Sequence, residues 1–535
     1  MYEFGLLNWI ILSSYAVGSI ILGFYLNRRV QTAEHYYLGD RSTPWWAIGL
    51  SVMATYTSAF TFLGAPAWAY TEGFSVIFIH INYPIAVFIV ISVFIPFFYN
   101  SGVASIFEYL ERRFGRSSRL VMSSIFLLGN IIYSGIILYT TALVIEFITG
   151  TDVVTAITVV SVIAMTYTLL GGISAVIWTD VAQTIILLSG AAIVLFLLII
   201  DLPLPLSETL LSLKSDGRLN PFEFSLSPDK VATVWTGVIA MSIYHVVVYG
   251  VNQMMIQRTL VAKTIGDAKK AYTMMGYAAF FIFTLLFSLG IFLYAFFEGA
   301  SFDNTNTIML EFVKLAGVPG LMGLIAVAIV AAAMSSLDSS LNSMATVTNI
   351  DFYQQYFKKD ASPQHLLRAA RVFTVMWGLF VIGPAILFTA SDGSVLETLS
   401  KIGSFFVGSK LSMYFLGFYS KHTTERGLLL GVAAGFLTLL YVEYFMNVAW
   451  PWYCAIGGFV SVSVGWMSSI VIDGFQSEYH VCTVRGQKKL FEENGLPLKQ
   501  NGWYILPGKV DSKSYGLIIF FFLCVLCLYI FYQLI

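Results

Sequence analysis

The feature that most constrains this chain is the recurrence of apolar runs about 20 residues long, the length that an α-helix needs to cross a bilayer. About fourteen such runs are present, at residues 4–26, 45–71, 74–99, 120–148, 152–170, 176–201, 232–256, 271–297, 315–348, 372–390, 394–418, 427–447, 451–472 and 514–534. Backbone polar groups in lipid have to be satisfied within the chain, which favours helices. The predicted fold class is therefore an all-α polytopic membrane protein with about 14 transmembrane helices.

Composition and charge agree with this interpretation. Of 535 residues, 58% are hydrophobic and 11% are charged, which is more apolar surface than a soluble core of this length needs. Every second loop along the chain lies on the same side of the membrane, and the loops of one side hold 23 of the 29 Lys and Arg residues. The positive-inside rule makes this side cytoplasmic, which places both termini outside. The net charge of −1 gives no sign of nucleic acid as a partner. We expect a multi-pass protein embedded in the lipid bilayer of the cell membrane, and a monomer.

Residues 323–351, GLIAVAIVAAAMSSLDSSLNSMATVTNID, place polar side chains at a depth where hydrocarbon should be. Four of them share one helical face at i, i+3, i+4 and i+7: Ser335, Asp338, Ser339 and Asn342. The small residues 331–333 let another backbone approach, so carbonyl groups can join the hydroxyls around a hard cation such as sodium. Serine can also serve as glue between membrane helices. A carboxylate in a span costs about 2.5–3.5 kcal/mol and favours the functional interpretation.

Two apolar runs are interrupted in the middle. Run 45–71 carries Thr55, Thr57, Ser58 and Thr61 followed by Gly-Ala-Pro, and run 232–256 carries Ser242, His245, Gly250, Asn252 and Gln253. The second of these comes five runs after the first, which is typical of two inverted five-helix repeats with a binding site at the bilayer midplane. We predict one transmembrane transporter domain over residues 1–535, with core repeats at about 45–201 and 232–418. Helices 4–26, 427–447, 451–472 and 514–534 are then peripheral.

The loops are expected to add little chemistry. Residues 105–115 predict a short amphipathic helix at the cytoplasmic face. The segment 202–231 is expected to be irregular, and 473–513 a poorly packed linker. Nucleotide-binding and hydrolase motifs such as G-x-x-x-x-G-K-[ST] and G-x-S-x-G are missing from the sequence. The chain is therefore not expected to be an enzyme or an ATP-driven pump.

Four blocks resemble the sodium:solute symporter family: EHYYLGDRSTPWWAIGLSVMATYTSAFTFLGAPAWAY, GGISAVIWTDVAQTIILLSGA, NQMMIQRTLVAKT and SSLDSSLNSMATVTNIDFY. The resemblance covers almost the whole chain and implies a leucine-transporter-like core. Within the family, the N-terminal third is most similar to bacterial sialic-acid symporters and less similar to sodium/galactose symporters. The resemblance implies Na+ as the coupling ion.

Two sodium sites follow from the resemblance. The main site, where the broken helix crosses the serine-rich one, would use the carbonyls of Ala54, Thr57 and Ala332 with the hydroxyls of Ser335 and Ser336. The second would use Asp180, Ser335, Asp338 and Ser339. The sialic-acid branch has Ser at the position of Asp338, so this carboxylate either strengthens cation binding or takes up a proton. Asp180 has a structural alternative as an N-cap or as the partner of a cytoplasmic Arg.

The substrate is less well defined. By position, the resemblance directs six residues to the cavity: Ser58, Thr61, His80, Tyr133, His245 and Ser400. Sialic-acid symporters hold the substrate carboxylate with an Arg at the position of Tyr133, so that clamp is lost here. The two histidines either bind the solute or serve as interhelical hydrogen-bond partners. Lys410 either counters an anionic solute, pairs with a buried acid, or extends toward the interface.

The function predicted from the sequence is sodium-coupled secondary active symport by alternating access. The solute is expected to be a sugar, a sugar acid or a small carboxylate. Two alternatives stay open: a proton-coupled symporter in which Asp338 or Asp180 titrates, and a sensor or channel that does not concentrate solute.

Overall fold

The structure is a computed structural model that describes residues 4–27, 32–39, 41–103, 105–389 and 395–535, without the side chains of 395–402. It is mostly helical. In the described part, the only strands form a hairpin in which Lys499–Gln500 pairs antiparallel with Trp503–Tyr504. The all-α prediction is therefore confirmed, with this hairpin as a small exception.

Long helices build the body of the molecule. They are Leu6–Asn27, Arg116–Thr149, Val153–Ile200 with a non-helical Gly172, Ile265–Phe296, Leu321–Val347 extended by Thr348–Phe357, Pro363–Phe380 followed by Ile382–Phe388, Val395–Tyr419, Glu425–Phe445, Pro451–Asp473 and Tyr515–Leu534. One further long helix, Phe74–Ser101, is assembled from short pieces. The smaller helices are Ala33–Leu38, Ile106–Arg113, Leu206–Ser215, Thr305–Thr307, Ile308–Ala316, Val484–Glu493 and Ser512–Ser514.

Ten described helices are long and apolar enough to cross a membrane, and the number rises to twelve if each of two bent helix pairs counts as one span. The sequence predicted about fourteen spans, and a described helix lies at each of these positions. The two spans not counted are run 152–170, where only the shorter apolar helix Val153–Thr166 qualifies, and run 394–418, which adjoins undescribed residues.

The two bent pairs lie where the sequence placed its interruptions. In the first broken pair, Trp45–Tyr56 and Ala59–Glu72 meet at 61°. The backbone of Thr57 is not helical, with φ −92° and ψ 70°. Ser58 caps the next helix, because its Oγ accepts a hydrogen bond from the amide of Thr61. In the second broken pair, Thr236–Gly250 and Gln253–Leu260 meet at 52°. Asn252 caps the second half in the same way.

The serine helix, Leu321–Val347, lies at the centre of the fold. It packs against Val153–Ile200, Arg116–Thr149 and the first broken pair. All but one of its residues are buried, including every polar side chain from Ser335 to Thr346. A helix that is covered all round belongs to the core of a large protein, so its hydroxyls face protein rather than lipid.

Two loop expectations were wrong. The segment 473–513 is largely exposed up to residue 502, but its end packs on the body: Trp503 is 7% exposed, and Lys269 Nζ lies 2.6 Å from Asp511 Oδ2. Trp503 and Ile505 pack with the hydrophobic core, which composition alone does not show. The segment 202–231 contains the helix Leu206–Ser215, and Arg218 donates to the carbonyl of Thr71. The predicted amphipathic helix is confirmed as Ile106–Arg113.

Candidate functional site

The serine helix passes the break of the first broken pair, and we call this contact the serine crossing. Ser335 Oγ lies 3.1 Å from the carbonyl oxygen of Ala54 and 2.8 Å from that of Ala332. Ser336 Oγ donates to the carbonyl of Thr55 at 2.9 Å. The break at Thr57 ends the helical hydrogen bonding, so carbonyl groups of the last turn are available to other partners.

A cavity of about 10 Å³ lies at the serine crossing. This is room for about one water-sized particle. Residues from four elements line it: Met53, Ala54, Thr57, Gln183, Thr184, Leu187, Leu188, Ile282, Ala332 and Ser335. Four of the five residues that the resemblance implied for the main sodium site are in this lining, and Ser336 is next to it. Neutral carbonyl and hydroxyl oxygens suit a hard cation such as sodium.

A second cluster lies one helical turn further along the serine helix, and we call it the arginine cluster. Arg258 Nη2 is 2.9 Å from Asp180 Oδ2 and 2.5 Å from Ser339 Oγ, and its Nε is 2.6 Å from Ser51 Oγ. Ser51 in turn donates to Asp180. The side chains of Arg258 and Asp180 are both 0% exposed. The structural alternative for Asp180, an Arg partner, is thus present in the structure.

The residues implied for the second sodium site come together in the same region. Ser339 Oγ lies 2.5 Å from the carbonyl oxygen of Ser335 and 3.1 Å from Asp338 Oδ1. Thr179 Oγ1 is 3.4 Å from Asp338 Oδ2. Within the described part of the chain, Asp180 Oδ1 is buried without a hydrogen-bond partner, so one carboxylate oxygen remains for a cation. The other oxygen is engaged by the guanidinium.

Arg258 is the functional candidate that sequence reasoning missed. The charge rule assigns it to a cytoplasmic loop between the apolar runs 232–256 and 271–297, whereas it lies in the helix Gln253–Leu260 of the second broken pair. The available signal was its position inside the block NQMMIQRTLVAKT, close after a polar interruption.

Two adjoining chambers lie between the broken pairs, and together we call them the substrate cavity. The first, about 210 Å³, is lined by Ser58, Phe60, Thr61, Gly129, Asn130, Tyr133, Tyr244, Val247, Val248, Asn252, Met254, Gly403, Phe406, Val407 and Lys410. The second, about 160 Å³, shares Phe60, Thr61, Tyr244 and Val248 with it and contains His80 and His245. Five of the six predicted substrate residues line these chambers. The side chain of the sixth, Ser400, lies outside the described residues.

The two histidines of the substrate cavity differ in their bonding. His245 Nδ1 lies 2.6 Å from Asn82 Oδ1, and Asn82 also donates to the carbonyl of Gly237. His80 stacks on Phe283 with ring centroids 3.6 Å apart. Among the described residues, His80 Nδ1 has no hydrogen-bond partner. His245 is therefore fixed between helices, whereas His80 has a ring nitrogen left for a solute.

The two sides of the substrate cavity are closed to different extents. On one side, a vestibule of about 800 Å³ shares Phe60 with both chambers and is lined by Glu146 and the segment 303–307. On the other side, Ile106–Arg113 is held by the second broken pair, since the amide of Ile106 donates to Gln253 Oε1 at 2.9 Å. Beside it, Arg119 forms ion pairs with Asp351 and Glu111, each at 2.5 Å.

Comparisons with known proteins agree on one group. A family model described as the sodium:solute symporter family matches residues 36–435. A sodium/sialic acid symporter of Proteus mirabilis is 29% identical over 478 residues, which cover 87% of this chain and 95% of that protein. The human sodium-coupled monocarboxylate transporter 1 is 30% identical over 446 residues, which cover 81% of this chain and 73% of that protein. The structure of a substrate-bound, outward-open Na+-coupled sialic acid symporter has a TM-score of 0.82 at 28% identity, covering 88% of this chain and 99% of that one.

Proposed function

We propose that this chain, which belongs to the sodium:solute symporter family, imports a small organic solute by sodium-coupled alternating access. Its family and relatives are membrane transporters rather than enzymes, and Na+ is the coupling ion. The named relatives carry sialic acid or monocarboxylates. We propose a sugar, a sugar acid or a small carboxylate as the solute of this chain.

The observation that carries the proposal is the serine crossing. Its cavity of about 10 Å³ is bounded by oxygen-bearing residues of two elements that a transporter has to move against each other. A sodium ion there would be held by the carbonyls of Ala54, Thr57 and Ala332 and by the hydroxyls of Ser335 and Ser336. It would join the first broken pair to the serine helix. Thr57 lines the cavity at the crossing and its neighbour Ser58 lines the substrate cavity, which connects the two sites through the break of the first broken pair.

We propose the finer architecture as predicted: about fourteen spans with inverted repeats at about 45–201 and 232–418, and peripheral helices around them. The two bent pairs at corresponding places, with the substrate cavity between them, support this arrangement. The wide vestibule on one side and the buried ion pairs on the other support an outward-facing state. Inward opening would then require Ser105 and Ile106, at the start of this helix, to separate from Asp351 and Gln253 respectively.

The second sodium site, formed by Asp180, Ser335, Asp338 and Ser339, remains a proposal. Asp180 Oδ1 supports it, because this buried oxygen lies free of hydrogen bonds from described residues. Two coupled ions would roughly double the driving force of about 2.3 kcal/mol per charge per 100 mV.

The test is uptake by purified protein in proteoliposomes. Sugars, sugar acids, amino acids and small carboxylates are offered with an inward sodium gradient, with only a pH gradient, or with neither. We expect concentrative uptake that requires sodium. Undiminished uptake under the pH gradient alone would replace sodium by protons, with Asp180 or Asp338 titrating. Uptake that only equilibrates the solute would indicate a channel.

A further inference from the structure

We propose that Lys410 is the counter-ion of the solute, and that this transporter carries organic monocarboxylates with a short, largely apolar body. This inference rests on the proposed function and names the substrate class of the same cavity.

Lys410 projects into the larger chamber of the substrate cavity, which it lines with Ser58, Thr61 and Tyr133. Its Nζ lies 5.9 Å from the ring centroid of Phe126. None of the ion pairs between described residues involves Lys410. Among the described residues that line the two chambers, Lys410 is the one Lys or Arg, and none is an Asp or Glu.

The alternatives for Lys410 are weakened by its position. It lies within the helix Val395–Tyr419, about 14 Å from the Tyr419 end at 1.5 Å per residue, which is further than a lysine side chain extends. Pairing with a buried acid is also unsupported, because no ion pair between described residues joins Lys410 to an Asp or Glu, and the buried Asp351 pairs with Arg119. The remaining alternative is an ammonium that faces the solute.

An ammonium away from bulk water is costly unless an opposite charge compensates it. A solute carboxylate that enters the chamber supplies this charge, whereas a neutral solute of the same shape does not. The cavity therefore favours an anion electrostatically, although the Arg clamp of sialic-acid symporters is replaced by Tyr133.

The rest of the lining limits the body of the solute. Its apolar side chains are Phe60, Val247, Val248, Met254, Phe406 and Val407, beside polar ones that include Asn130, Tyr244 and Asn252. A sugar with a hydroxyl on every carbon would lose hydrogen bonds to water along the apolar part. A short aliphatic or aromatic acid would instead bury its apolar carbons there. His80, in the adjoining chamber, can accept or donate one hydrogen bond to a single further polar group.

The experiment compares acids with the amides of the same shape. Purified full-length protein in sodium buffer is titrated with four pairs, namely propionate and propionamide, butyrate and butyramide, benzoate and benzamide, and nicotinate and nicotinamide, and thermal stabilisation is measured. At least one acid should bind about 30-fold or more tightly than its amide. Equal affinity within every pair, binding of no acid, or stabilisation only by neutral sugars would overturn the inference.

Variants then locate the charge. Lys410→Gln should weaken the binding acid about 30-fold or more, and Lys410→Arg should keep most of the affinity. Lys314→Gln removes an exposed lysine that pairs with Glu311 and serves as the matched control. Equal acid affinity of wild type and K410Q would contradict the assignment. If K410Q does not give a monodisperse protein, the acid and amide comparison on wild type decides alone.

This design separates the two proposals. If wild type shows no sodium-driven uptake of any solute, the proposed function fails. If wild type takes up a neutral solute with sodium, only the Lys410 inference fails. The same holds if wild type and K410Q take up acids equally well.

Discussion

The serine crossing and the arginine cluster lie one turn apart on the same helix, and both were expected to bind sodium. At the serine crossing, neutral oxygens surround a cavity of about 10 Å³. In the arginine cluster, a guanidinium already contacts Asp180, Ser51, Ser339 and the carbonyl of Met254. A site for an exchangeable cation needs oxygens that no resident cation engages. We propose that the crossing is an exchangeable joint, which sodium makes and breaks, and that the cluster is a permanent joint; the second sodium proposed there would use Asp180 Oδ1, which has no hydrogen-bond partner among the described residues.

The arginine cluster joins four elements of the fold. Arg258 belongs to the second broken pair, Asp180 to Val153–Ile200, Ser339 to the serine helix and Ser51 to the first broken pair. A buried ion pair adds little stability compared with apolar residues, but removal of one partner is strongly destabilising because the other charge stays buried.

The largest expected effect on stability comes from breaking the ion pair of the arginine cluster. Arg258→Ala would leave the Asp180 carboxylate buried without its cation, at a cost of about 3–5 kcal/mol. We expect little folded protein and a lower unfolding temperature in sodium-free buffer. The double variant Arg258→Gln with Asp180→Asn removes both charges and should recover part of this loss. An unfolding temperature like that of wild type in R258A would show that the guanidinium is not a structural partner.

At the serine crossing we expect the opposite, namely a small loss of stability and a large loss of transport. Ser335→Ala and Ser336→Ala each remove one hydroxyl, and we expect about 1 kcal/mol of lost stability but no sodium-stimulated uptake. Ser340→Ala is the matched control, because its hydroxyl bonds to Ser134 and Asn130 on Arg116–Thr149 and not to the first broken pair. Normal sodium dependence in both S335A and S336A would remove the serine crossing as the main sodium site.

The contrast between these joints also shows what the sequence could reveal. The spacing of Ser335, Asp338 and Ser339 on one face is a local property, and so are the breaks near Thr57 and Gly250, because a few neighbouring residues determine them. The structure has these features where the sequence placed them. Which carbonyls face the serines was given only by the family resemblance, since Ala54 carries no sequence signal.

The rest depended on contacts between distant residues. The partner of Arg258, Asp180, is 78 positions away in the sequence, so a count of basic residues assigned Arg258 to a loop. Lys269 likewise donates to the carbonyl of Tyr504 and to Asp511, more than 230 positions later in the sequence. Charge and polarity rules describe the average loop, and they fail where a charged side chain pairs with an opposite charge inside the fold.

The smallest expected effect comes from Asp338, which lies between the two joints. It contacts Ser339 of the arginine cluster at 3.1 Å and Thr179 at 3.4 Å, but it does not line the cavity at the serine crossing. Asp338→Asn keeps the shape and removes the charge. We expect the half-saturating sodium concentration for uptake to rise about tenfold or less, equivalent to about 1.4 kcal/mol or less.

The Hill coefficient in the same uptake assay distinguishes the roles of Asp338. If Asp338 binds a second ion, the coefficient falls toward one in D338N while the crossing still binds its own ion. If Asp338 instead carries a proton, the coefficient stays and the pH dependence of uptake disappears, because the amide does not titrate. If D338N leaves the Hill coefficient, the half-saturating sodium concentration and the pH profile unaltered, Asp338 has a structural role and belongs to the permanent joint of the arginine cluster. The boundary between the two joints would then lie between Ser335 and Asp338, within a single turn of the serine helix.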